Sequence, residues 1–306
     1  VRVAVTGAGG LIGRALVRAL ASEARVEEVV AIDVRAQPGQ PVEGVSLVRR
    51  DTRDPGLAAD LEGVDALVHL AFRVLDRRDA RAIAANVDGS RNAFEAAIAG
   101  GAVTIVHASS AAVYGAAADN PVPLTEDRPL RPAPGFAYPQ TKVAVEEMLD
   151  RVAARAPHVR CAWLRPTTTL APGSPLLLGH RAYVTLRGFD PPMQFTWVDD
   201  VAAAFAAALH APSARGPVNV GAPGTVLASE VAATLGVRGV RLPYRARRRA
   251  AVAMRHLGVP GGLHPGFVDM ARYPIVVSSR RAETALGWRP ALDTAGALRR
   301  FAETLP

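Results

Sequence analysis

Tyr138 and Lys142 stand four residues apart in the stretch "FAYPQTKVAVEE", residues 136–147. On a helix that spacing puts both side chains on one face. A phenol with an ordinary pKa of ~10 is a poor proton carrier at neutral pH, and a neighbouring ammonium stabilises the phenolate and makes it a usable acid/base. Lys142 is also the single lysine of the chain: of its 36 Lys+Arg residues all the rest are arginine. A compact ammonium with three freely directed donors serves a phenol and further acceptors together, which the fixed fork of a guanidinium does not. With 5 tyrosines in 306 residues, chance places a lone lysine four positions after a tyrosine about once in sixty. The pair therefore points to proton transfer rather than to an exposed helix lysine.

A second group lies at the start of the chain. "TGAGGLIG", residues 6–13, places Gly7, Gly10 and Gly13 after an apolar run, with Leu11 and Ile12 opening a helical pattern. Gly7 allows a tight turn, Gly10 lets backbone approach a pyrophosphate, and Gly13 permits close helix packing, while the helix N-terminus favours the negative charge. Asp33 follows twenty residues after Gly13, at the end of the next apolar run. Its carboxylate can accept hydrogen bonds from both adenosine ribose hydroxyls and repel a 2′-phosphate, so NAD is the expected cofactor. Arg35, close enough to balance a 2′-phosphate, keeps NADP as the alternative. The Lys142 ammonium then has nicotinamide ribose hydroxyls as its further acceptors.

The elements that must carry these groups alternate. "RVAVTG", "VEEVVAID", "VSLVRR", "DALVHLAF", "AVTIVHASS" and "HVRCAWLRP" read as strands, and "LIGRALVRALASEA", residues 77–99 and residues 138–156 as helices between them, which predicts an α/β fold with a Rossmann-type, doubly wound parallel sheet. The reading gives a cofactor domain over 1–166, a segment of about 195–222 returning to it, and a smaller, mainly substrate-binding lobe over 167–306. "DDVAAAFAAALH" is expected to be a helix capped by Asp199 or Asp200, and "GPVNVG" a returning strand. His69 and His107 at strand ends read as packed histidines, and no spacing of His, Cys or carboxylates suggests a metal.

Taken together these motifs resemble the extended short-chain dehydrogenase/reductases, the NAD-dependent epimerase/dehydratase family. "TGAGGLIG" is similar to its TGxxGxxG, "YPQTK" to its YxxxK and "HASSAAVYG" to its serine-bearing strand. "VHLAF", "NVDGSRNAFEAA", "LRPTTTLAPG", "FTWVDDVA" and "NVG" follow in the family's order. The resemblance implies Tyr138 as general acid/base, Lys142 as its activator and ribose ligand, and Ser110 as the hydroxyl that holds the reacting oxygen, with Ser109 beside the cofactor as the alternative. It implies that Asp51 and Thr52 lie near the adenine, that Leu70, Ala71 and Phe72 run beside the cofactor, and that Asn86 and Thr167 contact it. It also implies a homodimer through helices 76–99 and 138–155, where "AFEAAIA" and "VAVEEML" offer apolar faces.

The reaction expected is hydride transfer at a secondary alcohol or ketone of a sugar-like or other small polar substrate. The family's 4,6-dehydratases carry an Asp-Glu pair where this chain has Ala111 and Ala112, so dehydration is not expected. Nucleotide-sugar epimerases offer an Asn after the "LRP"-like turn and an Arg before the later strand. Thr168 and "PPMQF" stand there instead, with Trp197 in place of a His, so diphosphate ligands are not expected and Arg73 and Arg181 are the cations that can replace them. A nucleotide-sugar epimerase with internally recycled NAD and a non-catalytic dinucleotide sensor are the alternatives.

Bulk composition agrees with a globular protein, 49% hydrophobic and 21% charged. The net charge of +8 is spread among acidic residues except in "YRARRRAAVAMRHLG", residues 244–258, which lacks interleaved aromatics; it reads as a solvated helix face rather than a nucleic-acid surface. The single cysteine, Cys161, reads as a buried strand residue in a reducing compartment. With no apolar run of ~18 residues, no membrane is expected as partner and the cytoplasm is the expected location.

Overall fold

The computed structural model describes residues 1–35, 42–73, 79–174, 176, 182–257 and 264–305, with only the backbone at 79–82. The six apolar runs of the first half form strands β1 (Arg2–Thr6), β2 (Glu28–Asp33), β3 (Val45–Arg49), β4 (Ala66–His69), β5 (Thr104–Ala108) and β6 (Arg160–Pro166). Helices α1 (Leu11–Ala21), α2 (Leu57–Asp60), α3 (Asp79–Ala99) and α4 (Ala137–Arg155) connect them. Short strands β7 (Thr168–Leu170), β8 (Ala182–Leu186), β9 (Pro192–Met193) and β10 (Phe195–Trp197) follow, then α5 (Val198–His210) and β11 (Gly216–Val220). The chain ends in β12 (Val226–Leu227), α6 (Val231–Thr234), β13 (Arg238–Leu242), α7 (Tyr244–His256), α8 (Pro265–Met270), α9 (Arg280–Leu286) and α10 (Thr294–Ala302).

Seven strands make one parallel sheet in the order β11-β6-β5-β4-β1-β2-β3. Buried on both faces, its central strands are continuous apolar runs rather than alternating ones. Leu16 and Leu20 of α1 pack with Val201 and Phe205 of α5 on one face, and Phe94 of α3 with Val145 and Leu149 of α4 on the other. The strand order reverses between β1 and β4, which opens a crevice at the C-terminal ends of those strands. β4 ends at His69, short of the expected Phe72. Leu70 donates its N–H to Thr6 O at 3.0 Å, and the chain then leaves the ladder to run past Gly7.

β11 pairs with β6 from Gly216 opposite Ala162 to Val220 opposite Pro166, so the stretch read as a returning strand completes the edge of the sheet. Residues 244–256 form α7, in which Ala251 is buried and Arg245, Arg248 and Arg249 are exposed, as expected of a solvated face, whereas Arg247 is half-buried and donates Nη1 to Val184 O at 2.7 Å. Cys161 is buried in β6 and its thiol is pushed up to about 11 by that burial. α5 departs from expectation at its start. Neither Asp199 nor Asp200 caps it: Asp199 accepts from Trp197 Nε1 at 3.0 Å, and Asp200 accepts the N–H groups of Ala291 and Leu292, tying the C-terminal segment to α5. The apolar residues of 93–99 and 143–149 that suggested a subunit interface, among them Phe94, Ala97, Val145 and Leu149, are already buried under the chain's own sheet. α3 turns Asp88, Arg91 and Glu95 outward instead. No described helix is long and apolar enough to cross a membrane.

Candidate active site

The crevice runs from the end of β2 across the glycine turn to the end of β4, lined by Gly7, Gly10, Asp33, Arg35, Asp51, Thr52, Leu70, Ala71, Phe72, Arg73 and Asn86. Gly7 has a φ of +73°, and a Cβ there would lie 2.6 Å from Ala71 N, so both conformation and close approach require glycine. Gly13 is equally confined, with a Cβ meeting Gly7 O at 2.2 Å. Leu11 and Ile12 pack into the core beneath the turn. No side chain caps α1, which leaves its first-turn N–H groups available to an anion.

Asp33 is fixed rather than loose. Its Oδ2 accepts from Gly9 N and its Oδ1 from Arg35 N, both at 3.0 Å, with Arg35 Nε 3.7 Å from Oδ1. Asp51 is held by the Arg53 side chain, Nη2 at 2.7 Å from Oδ2, and these hydrogen bonds keep its carboxyl below the usual carboxylate range. Asn92 donates to Thr52 O at 2.7 Å. Asn86 grips the loop after β4, accepting from Arg73 N at 2.9 Å and donating to Arg73 O at 3.2 Å. Asp33, Asp51, Thr52 and Asn86 thus line one cleft with the glycine turn, whereas the Thr167 hydroxyl pairs with Thr196 Oγ1 at 2.8 Å. Arg181 lies outside the described residues.

Tyr138 sits in the first turn of α4, with the rings of Phe72, Phe136 and Phe267 at 5.7, 5.9 and 6.2 Å. This apolar setting pushes the phenol above its ordinary range, and the nearby Ser110 hydroxyl opposes the shift. Ser110 caps the short helical turn Ala111–Tyr114, its Oγ accepting from Ala112 N at 3.2 Å. Ser109, one residue earlier, instead points into the interior and donates to Glu146 Oε1. The two serines that sequence spacing could not fully separate therefore have different surroundings.

Lys142 is buried one turn beyond Tyr138. Its Nζ donates to Ala108 O at 2.5 Å and lies 3.6 Å from the centroid of the Phe72 ring. The ammonium is thus held by a carbonyl and a ring face rather than by the phenol. Burial brings its pKa down to about 7, opposed by the nearby Glu146 carboxylate. His69 bonds Thr6 Oγ1 at 2.7 Å and Ser90 Oγ at 3.0 Å, and burial drives it down to about 3. His107 is also buried, packed on His69 and Phe94, and desolvation together with the Lys142 charge keeps it neutral. Both histidines are core residues. Among the described residues no cluster of three or more His, Cys, Asp or Glu is placed to hold a metal ion.

Sequence reasoning overlooked a polar chain behind this site. Glu146 accepts from Arg165 Nε at 2.9 Å and Nη2 at 2.5 Å, Arg165 Nη1 donates to Tyr114 Oη at 2.8 Å, and Tyr114 donates to Asn219 Oδ1 at 2.8 Å. The available signal was the position of Glu146, four residues after Lys142 and so on the same helical face. Also overlooked was α8, which brings His264 and Phe267 onto Phe136, beside Tyr138.

The chain matches the NAD dependent epimerase/dehydratase family over residues 3–221. It is similar to L-arabinose 1-dehydrogenase (NAD(P)(+)) of Haloferax volcanii, 33% identical over 178 residues, 53% of this chain and 67% of that protein. An uncharacterized protein of Mycobacterium tuberculosis is 27% identical over 254 residues, 79% of this chain and 67% of its own length. Among solved structures it is similar to MoeE5 in complex with UDP-glucuronic acid and NAD, with a TM-score of 0.78, 25% identity, and coverage of 99% of this chain and 98% of that one. A short-chain dehydrogenase/reductase superfamily protein from Agrobacterium tumefaciens with bound NAD gives a TM-score of 0.76 at 25% identity, covering 99% and 97%. With its parallel sheet, its glycine turn at the strand-order reversal and a match over most of its length, the chain belongs to the NAD dependent epimerase/dehydratase family.

Proposed function

We propose that the chain is an NAD(P)-dependent oxidoreductase acting at a secondary alcohol or ketone carbon of a sugar-like or other small polar substrate, with Tyr138 as general acid/base. The observation that carries this reading is the chain's single lysine, buried one turn beyond Tyr138 on the same helix and lying over the Phe72 ring that lines the glycine-bounded cleft, with Ser110 beside the phenol. The cleft fits a dinucleotide: Gly7 lies where a Cβ would collide with Ala71, uncapped first-turn amides stand at α1, and Asp33 is fixed at the far end. When bound there, NAD supplies the hydride acceptor or donor.

The remaining work falls to the chain. Ser110 orients the substrate oxygen toward the phenol. The phenol, raised by its apolar surroundings, is protonated at neutral pH and set to donate to a ketone oxygen. In the oxidative direction it must accept the alcohol proton, and a charged Lys142 favours that state. Phe72, Phe136 and Phe267 give the phenol an apolar surrounding for the transfer. Ala111 and Ala112 occupy the turn after Ser110 with no carboxylate, which argues against elimination of water after oxidation.

The similarity to L-arabinose 1-dehydrogenase supports a free sugar as substrate. The similarity to a protein solved with UDP-glucuronic acid favours a nucleotide sugar as the second reading. The test is to follow nicotinamide reduction by NAD-loaded protein with free aldoses and polyols, and to titrate the same protein calorimetrically with UDP, dTDP and their sugars. Turnover of a free sugar with millimolar or weaker nucleotide binding supports the proposal. Micromolar binding of a nucleotide sugar would restore the epimerase reading, and NAD binding without turnover of any alcohol would leave a dinucleotide sensor.

A further inference from the structure

The Glu146–Arg165 ion pair is buried, each side chain no more than 4% exposed, and nothing in the proposed proton transfer uses it. A buried pair of this kind adds little stability relative to a well-packed apolar pair, so its placement calls for another explanation. Its contacts reach the backbone segments that carry the reacting groups. Glu146 lies on α4 with Tyr138 and Lys142. Its carboxylate is bonded by Ser109, next to Ser110 and to the Ala108 carbonyl that holds Lys142. Arg165, two residues before Thr167 at the end of β6, closes the carboxylate from the other side with two N–H groups. A single carboxylate thus ties α4 to the C-terminal ends of β5 and β6.

We propose that Glu146 is a positioning residue acting through Lys142: clamped by Arg165 and Ser109, its carboxylate sets the place and the charge of the ammonium one helical turn away. The groups facing Lys142 leave Glu146 as its counter-charge. From β4 and β5, His69 and His107 are held neutral by burial. Phe72 and the Ala108 carbonyl supply a ring face and a dipole. On α4 itself Tyr138 is kept protonated, and Arg165 of β6 is engaged by Glu146 and Tyr114. Asp150, a further turn along, faces Glu146. The carboxylate favours the charged lysine and burial opposes it.

The inference rests on the oxidoreductase reading for its purpose, but its test does not. Because Lys142 is the single lysine, protein labelled with [ε-13C]lysine gives one lysine signal, whose pH titration reports this ammonium without assignment and without substrate. In Glu146→Gln the titration midpoint should move to lower pH than in the wild type by on the order of one pH unit, since the favourable charge is gone. If that variant fails to fold, Glu146→Gln with Arg165→Met removes both charges together, and its lysine midpoint should also fall below the wild-type value. An unmoved or raised midpoint in a folded variant would overturn the proposal and leave the pair a purely structural clamp. Once a substrate is in hand, Glu146→Gln should lose at least ~10-fold in kcat with KM and NAD affinity little changed, and its alkaline limb should move to lower pH. A shifted lysine titration in a protein that turns over no alcohol would uphold the positioning role and reject the oxidoreductase reading.

Discussion

Replacing Lys142 by Met should make the protein more stable while removing its activity, and the gain should depend on pH in a defined direction. An unfolded lysine titrates near 10.5, whereas burial in this site brings Lys142 down to about 7. The folded chain gives up this proton well before the unfolded chain does, so the unfolded state binds more protons between those values and stability rises with pH across that window. Below about pH 7 the buried charge costs its full amount, and the difference between 10.5 and about 7 corresponds to about 5 kcal/mol. The Ala108 carbonyl and the Phe72 face return part of this, and Met leaves that carbonyl with one fewer donor, so a net gain of about 2–4 kcal/mol for Lys142→Met is expected at pH 6. Approaching pH 10 the wild-type lysine is neutral in the fold and the gain should shrink toward zero. Urea unfolding of both proteins at pH 6, 7.5 and 9.5 measures this, and with no second lysine the pH dependence of the difference belongs to one group. A variant less stable than wild type at pH 6, or a difference constant with pH, would refute the account of Lys142 as a desolvated ammonium.

Tyr138→Phe should abolish turnover, by at least ~1000-fold in kcat, with NAD affinity by fluorescence titration nearly unchanged, because the hydroxyl is lost and the ring packing on Phe72 is kept. Gly7→Ala should weaken NAD binding more than ~10-fold and lower stability by at least ~1–2 kcal/mol in denaturant melts, since a φ of +73° is unfavourable for alanine and its methyl would press on Ala71 N. Sedimentation at micromolar concentration is expected to give a dimer. If it does, charge reversal at Arg91, which α3 presents outward, should weaken it, whereas a monomer at that concentration removes the assembly expected from the family.

Much of this protein was legible in its order of residues because the signals are local. Continuous apolar runs between helical patterns require a doubly wound parallel sheet, since each strand buries both faces, and a left-handed Gly7 ahead of a helix requires a turn open to an anion. The four-residue spacing of Tyr138 and Lys142 places both on one helix face whatever surrounds them. Tertiary packing alone decided the electrostatics, because the groups that set them come from distant segments. The Phe72 ring under the ammonium and Phe267 beside the phenol arrive from the β4 loop and from α8. The burial they bring raises the Tyr138 pKa and lowers that of Lys142, where helix spacing by itself suggests a phenol lowered by its lysine. Asp200 reads as a cap from its place before the apolar run that follows it, yet it lies in the first turn of α5 and the fold turns it toward Ala291 and Leu292, about ninety positions away. Ser109 and Ser110 are neighbours of identical chemistry. Only the path of the chain just past β5 separates them: Ser109 turns its hydroxyl to Glu146 in the interior, whereas Ser110 caps the turn that follows and lies beside the phenol.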